Sequence, residues 1–261
     1  MRLARRIVLA LTFLSLWAAA AGAEIGRTAL GTGSGLLGGA SITLGSNIAV
    51  GQGSTLVVFI EYDASVGLIA GISWNGAALI VNGTQGAVSI GASGAVFECW
   101  TLSNATAGTG DIVVNATGAS PVTQWRATFT EITGALATSG SVDKFGDFAS
   151  GTGPSPTSSG TGLRSQAKEM LLGCVALDTG THSGTWQSGF TGGQVSEGGG
   201  YSLEDSYLSV ASTGTLSARK TGSPNVDWGA LVVSIRQAAD TTATVYQRSI
   251  SGRHRVRRRT P

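Results

Sequence analysis

Hydrophobic residues in this chain come in short runs separated by clusters of glycine, serine, asparagine and threonine. After the first 23 residues the runs are rich in β-branched and aromatic residues and lack the spacing of an amphipathic helix. About a dozen runs recur at spacings of roughly 8–12 residues, which is typical of an all-β sandwich or barrel. The predicted strands are 41–44, 55–62, 68–74, 77–81, 95–102, 111–117, 124–132, 169–177, 184–188, 201–210, 214–219 and 228–235.

The pattern inside the runs separates two kinds of strand. Apolar and polar residues alternate between 125 and 130, which predicts a strand with Arg126, Thr128 and Thr130 on a solvated face. The runs 56–60 and 230–235 are almost continuously apolar, which predicts central strands packed on both faces or lying in the middle of a sheet. Asn75-Gly76 between two apolar runs predicts a two-residue hairpin turn, because both positions of such a turn need positive φ.

The N-terminal pattern is that of a bacterial signal peptide. Three arginines precede an apolar run from Ile7 to Trp17, and the small-x-small sequence Ala21-Gly22-Ala23 follows. The run is shorter than the roughly 20 residues that span a bilayer. We therefore expect cleavage before Glu24, no transmembrane segment in the processed chain, and a secreted location, either extracellular or periplasmic.

The remaining chain is predicted to hold a single domain. Residues 24–39 form a glycine-rich lead-in, residues 40–239 the β-sandwich, and residues 240–261 a disordered basic tail, because the apolar pattern stops before the tail. The low-complexity stretch 149–162 could be a linker or a long loop. We favour the loop, since neither half has enough strands to close two sheets.

Charge is scarce and unevenly placed. Charged residues make up 12% of the chain, about half the usual level, so serine, threonine and glycine must cover much of the surface. From Glu24 to Asp240 the 15 acidic residues outnumber eight basic ones, and a body of that sign is a poor general binder of nucleic acid. The tail has no interleaved aromatics to select bases. It is a candidate for contact with anionic surfaces through Arg253, Arg255, Arg257, Arg258 and Arg259.

The chain has two cysteines, Cys99 and Cys174, each inside an apolar run. In an oxidising compartment an even count permits one disulfide. Two buried thiols are the alternative that the sequence leaves open.

The run from Ile72 to Leu79, containing Trp74-Asn75-Gly76 and Leu79, resembles a signature of poorly characterised secreted and phage-encoded β-sandwich proteins. The resemblance continues at Trp100-Thr101-Leu102-Ser103-Asn104 and at the valine strand after Gly108-Thr109, and covers roughly residues 40–237. It implies a jelly-roll-like antiparallel β-sandwich of roughly 12 strands. These motifs are structural, and the resemblance carries no catalytic residues.

Two motifs suggest enzyme chemistry. Gly33 to Gly38 matches G-x-G-x-x-G, but no strand–helix context for a dinucleotide surrounds it, so we interpret it as a flexible segment and expect no cofactor. Glu61 and Asp63 lie on one face of a predicted strand, where paired carboxylates could hydrolyse a glycosidic bond. The simpler interpretation is a solvated strand end.

Trp186 and His182 are the candidate ligand-binding residues. Trp186 lies in a glycine-rich polar segment and could stack on a sugar ring, whereas the other tryptophans of apolar strands are expected in the core. We expect His182 in an exposed loop. Asp143, Asp147 and Asp178 match no calcium-loop spacing, so no metal site is predicted.

These observations favour a non-enzymatic structural or adhesive module of a cell surface, the extracellular space or a virion. Such a module would act through surface contacts, including self-association, in which affinity can come from avidity. A carbohydrate-binding, lectin-like module is the alternative. A glycan hydrolase using Glu61 and Asp63 is a third hypothesis.

Overall fold

The computed structural model describes residues 24–37, 41–63, 69–81, 88–90, 94–116 and 123–238. These residues contain 18 β-strands and no helix, and their sheets are antiparallel and open, which confirms the prediction of an antiparallel β-sandwich. Residues Ile25–Gln237 form one compact unit. The predicted signal peptide and the whole of the predicted basic tail, with its five candidate arginines, lie outside the described residues. Within the described residues, no helix has the length and apolar character needed to cross a membrane.

Three sheets make up most of this unit. The central sheet has the order β1 (Gly26–Leu37), β10 (Thr123–Thr133), β3 (Thr55–Asp63), β8 (Ala95–Leu102) and β6 (Ile80–Val81), with β7 (Val88–Ile90) also on β8. The front sheet is β2 (Ser41–Val50), β9 (Gly108–Ala116), β4 (Ile69–Trp74) and β5 (Ala77–Ala78). The back sheet is β11 (Val142–Phe145), β18 (Asp227–Arg236), β13 (Glu169–Leu177), β16 (Tyr201–Val210) and β15 (Thr191–Gly198), with β12 (Ala149–Thr152) on β18.

The central sheet is covered on both faces. Along β3, Leu56 and Val58 belong to the core that the central sheet shares with the front sheet. Val57 and Phe59 belong to a second core, shared with the back sheet. Successive side chains of a strand point to opposite faces, so a strand between two layers must be apolar at every position. The predicted central strand at 56–60 is therefore confirmed.

The back sheet is also covered on both faces. Leu231 and Val233 of β18 face the central sheet, whereas Val232 faces a third core on the other side. That outer core is closed by Trp186 and its neighbours, on the short pair β14 (Thr185–Trp186) and β17 (Lys220–Thr221). The prediction of a central strand at 230–235 is confirmed as well.

The solvated face predicted for the strand at 124–132 is wrong. The alternation itself is present in β10, but Arg126, Thr128 and Thr130 are all buried. They occupy the face that looks toward the back sheet, and Thr130 donates a hydrogen bond to Asp205 of β16 across the gap. A polar strand face against a second polar face has the same sequence pattern as a polar face against water.

Most of the glycine-rich lead-in is a strand, β1, so the flexible segment expected at the G-x-G-x-x-G motif is wrong for residues 33–37. β1 pairs along its whole length with β10, with one irregularity between Ala29 and Gly31. Glycine is required at Gly33 because a Cβ there would lie 2.3 Å from the Leu44 carbonyl oxygen and 2.8 Å from the Trp125 ring. The G-x-G motif thus makes room for an indole.

The structure decides two local predictions, the hairpin at Asn75-Gly76 and the strand at 214–219. Asn75 and Gly76 have φ values of 47° and 80° and join Trp74 to Ala77 in a two-residue hairpin, as expected. The predicted strand at 214–219 is wrong, since only Arg219 at its end forms an isolated bridge. The stretch 149–162 begins with β12 and lies within the compact unit Ile25–Gln237.

Candidate functional site

Trp186 is not an exposed platform for sugars. Its side chain is buried, with 9% of the residue accessible, and its ring lies 6.4 Å from that of Phe190. The indole Nε1 donates a hydrogen bond to Glu204 of β16. The expectation of exposure fails because β14 lies over the apolar outer face of β13 and β18, where an indole covers a large area.

His182 is also buried, and the predicted exposed loop histidine is wrong. Its side chain is 1% accessible, and Nδ1 lies 3.3 Å from Lys220 Nζ and 3.4 Å from Glu204 Oε2. Burial, and then the neighbouring Lys220 charge, lower the pKa of His182 to about 3, against an opposing hydrogen bond at Ser202. The imidazole is therefore neutral at pH 7.

His182, Trp186, Glu204 and Lys220 together form what we call the Lys220 cluster. The Lys220 ammonium contacts Glu204 Oε2 directly, and both side chains are largely buried. Its Nζ also lies 5.9 Å from the centre of the Trp186 ring, within the range of a cation–π contact. These contacts tie β17 and β14 to β16, so the charges of the cluster are used to attach the outer layer.

Glu61 is buried, so a solvated strand end does not describe it. The residue is 1% accessible, neither carboxylate oxygen accepts a hydrogen bond from the protein, and Arg126 is its direct cross-strand neighbour. Burial raises the pKa of Glu61, opposed by Arg126 and reinforced by Asp178. A glycosidase carboxyl must reach the bond that it cleaves. Glu61 faces the back sheet instead.

Asp63 and Asp178 lie at the same end of the gap between the central and back sheets. Both raise the pKa of Tyr201, together with Glu61 and after the larger effect of burial, whereas Arg126 lowers it. The structure thus brings a third carboxylate, that of Asp178 directly after β13, to the Glu61–Asp63 pair. In the described part of the chain, however, no group of three or more acidic, histidine or cysteine side chains is arranged to hold a metal ion.

A network of polar contacts between the central and back sheets surrounds Asp205, and the sequence pattern did not predict it. Arg27 of β1 pairs with Asp205 at 2.7 Å, and the Gln194 backbone N–H donates to the same carboxylate at 2.7 Å. Gly193 leaves the space for this pair, because a Cβ there would lie 1.9 Å from Asp205 Oδ1. We call Arg27, Thr130, Gln194 and Asp205 the Asp205 cluster. It joins β1 and β10 to β15 and β16.

Side chains of β15 also form hydrogen bonds with backbone groups on the outer edge of β1. The Gly31 N–H donates to Gln194 Oε1 at 2.8 Å, and the Ser196 hydroxyl donates to the Gly33 carbonyl oxygen at 2.8 Å. Open backbone groups on an edge strand are a template for unwanted pairing. At these two residues the edge is closed by side chains from the back sheet.

The two cysteines are buried thiols in the same core. Cys99 lies in β8 and Cys174 in β13, and both have no accessible surface. Burial raises the pKa of Cys174, and the charges of Asp205 and Cys99 act in the same direction. Neither thiol is therefore an activated nucleophile.

Compared with known proteins, the chain matches no family, and no curated protein matches it either. The resemblance carried by Trp74-Asn75-Gly76 stays a prediction.

Asp205→Asn should destabilise the protein by about 3–5 kcal/mol, because it leaves the largely buried Arg27 without its counter-charge. The midpoint of chemical unfolding measures the change. The matched control is Asp111→Asn, at an exposed aspartate, which should change the free energy of unfolding by no more than about 0.5 kcal/mol. Equal midpoints for the two variants would show that the Asp205 cluster does not hold the sheets together.

His182 should make the protein less stable as the pH falls from about 6.5 toward 3. The unfolded imidazole binds a proton near pH 6.5, whereas the folded one does so only near 3, so protons favour the unfolded state in that window. Between pH 7 and 4 the loss from this group is as much as about 3 kcal/mol. His182→Gln should remove this loss. The difference between the stabilities of the two proteins cancels the contributions of all other groups, which titrate in both. Parallel pH profiles of stability would contradict the assignment.

Proposed function

We propose that this chain is an exported, non-enzymatic structural or adhesive module that acts through surface contacts at a cell surface, in the extracellular space or on a virion. One observation carries the proposal. Glu61, His182 and Trp186, which a hydrolase or a lectin would have to present to its ligand, are buried between layers or against them. Their polar atoms face other parts of the same chain.

The described surface suits a role in contact rather than in chemistry. The exposed edges and turns carry mainly glycine, serine and threonine, as along β15. The exposed large apolar residues of the described chain are Leu36, Ile80, Leu163 and Val195. Leu36 and Val195 lie on the edge strands β1 and β15. Such a surface favours weak contacts that repeat over many copies, where avidity supplies the affinity.

Export is the second part of the proposal. The arginines before the Ile7–Trp17 run and the Ala21-Gly22-Ala23 sequence support it. The low charge of the chain is also typical of secreted β proteins.

The full chain, expressed in a bacterial host with its N-terminus intact, should leave the cytoplasm as a species whose mass begins at Glu24. The purified species should form higher-order assemblies in light scattering as its concentration rises, and it should bind no glycan on an array. Val195→Lys should weaken assembly, because it places a charge on an exposed apolar site. Thr191→Lys, which adds the same charge to an exposed polar site of β15, is the matched control.

Three results would contradict the proposal. Retention of the unprocessed chain in the cytoplasm would exclude export. A monomer at all concentrations that binds a glycan would favour the lectin-like alternative. Hydrolysis of a polysaccharide that is abolished by Glu61→Gln would establish an enzyme.

A further inference from the structure

Cys99 and Cys174 come from different sheets and lie in the same core. Cys99 is on the central sheet beside Phe59, and Cys174 is on the back sheet between Asp205 and Leu231. Both cysteines and Leu231 belong to the core between those sheets. The side chains of both cysteines thus point into the same layer from opposite sides.

Two contacts, one on each side of the cysteines, show how the strands of the two sheets are aligned along their length. On one side, Phe97 of β8 packs over Gly229 of β18, where an added Cβ would lie 3.6 Å from its ring. Two residues farther along each strand come Cys99 and Leu231, and Leu231 is paired with Cys174. On this side of the layer the Cys99 row therefore lies over the Cys174 row.

On the other side, Thr130 of β10 donates to Asp205, at a distance of 3.2 Å. Asp205 is the β16 partner of Cys174. Thr128, two residues from Thr130, lies opposite Phe59, which is in turn paired with Cys99. On this side the Cys99 row therefore lies two residues away from the Cys174 row, whereas on the Phe97–Gly229 side the two rows coincide, an offset expected of sheets that pack at an angle. The two thiols lie close enough for Cys99 to contribute to the raised pKa of Cys174.

We propose that Cys99 and Cys174 form a disulfide that joins the central sheet to the back sheet when the chain folds in an oxidising compartment. The two thiols release two protons and two electrons, and a second disulfide, such as oxidised glutathione, accepts them and becomes two thiols. A bridge between facing sheets is compatible with a β-sandwich, as antibody domains show. The location of this step depends on the export that we propose above.

Burial sets the order of events. Both cysteines have no accessible surface in the folded chain, so an oxidant reaches them only before the sheets close. For the same reason a reductant in solution reaches the finished bridge only after unfolding. The bridge is thus structural rather than a redox switch.

The test is maleimide labelling of the secreted full chain, denatured in guanidinium without reductant and analysed by intact mass. We expect no adduct, and two adducts when a reductant is added to the same denatured sample. Cys174→Ser should take one adduct without reductant. Two adducts on the unreduced wild type would overturn the proposal, whether or not the variant folds.

A second arm separates this proposal from export. The purified chain is reduced, denatured and refolded with oxidised glutathione, which does not require secretion. We expect an intramolecular bridge and a midpoint of guanidinium unfolding that falls when reductant is present, with no such fall in Cys174→Ser. A refolded wild type with two free thiols, or with bridges only between chains, would overturn the proposal even if export is demonstrated.

Discussion

The contact between the central sheet and the back sheet places charged groups where water is excluded. Asp205 receives hydrogen bonds from Arg27, Thr130 and Gln194, which come from three different strands. Burying an ion pair costs several kcal/mol of desolvation per ion, and its mutual attraction returns that energy only when the geometry is good. Because the period of a strand is two residues, a slip of one residue would place this carboxylate on the other face of its sheet. We infer that the cluster fixes the register of the two sheets more than it adds to their stability.

The same constraint explains where the other ionisable groups lie. Glu98 lies between the central and front sheets, where Tyr62 and Trp100 donate to its two oxygens at 2.9 and 2.7 Å, and burial raises its pKa to about 7. Lys220 and Glu204 attach the outermost layer. In a chain with few charges, the Arg27–Asp205 and Lys220–Glu204 pairs each connect one layer to the next. This use of charge supports the structural role that we propose.

The strands predicted best from the sequence are those that must be apolar because neighbouring layers cover them. The bounds of β8, β13 and β16 agree with the prediction at both ends, and the Asn75-Gly76 hairpin forms as its turn chemistry requires. The strands that were missed, such as β1 and β15, are rich in glycine. They are strands because of neighbours distant in sequence, such as the Trp125 indole that fills the space above Gly33.

The candidate site was harder to predict for a related reason. Trp186 and His182 lie in a polar, glycine-rich segment, and nothing local in that segment shows that it folds over the outer face of β13 and β18. The alternation at Arg126, Thr128 and Thr130 was predicted correctly, but the solvent exposure of these side chains was not. Periodicity shows which residues share a face of a strand and does not show what covers that face. Which layer covers a strand depends on contacts between residues that are far apart in the sequence.

The central claim is that the polar face of β10 is closed by the back sheet, and thiol accessibility tests it most directly. Thr128→Cys should react with a maleimide only as fast as the protein unfolds, whereas Ser34→Cys, on the exposed side of β1, should react at once. The wild type supplies the background, because Cys99 and Cys174 are buried. Equally fast labelling of the two variants, with a wild-type unfolding midpoint for Thr128→Cys, would contradict the layered structure.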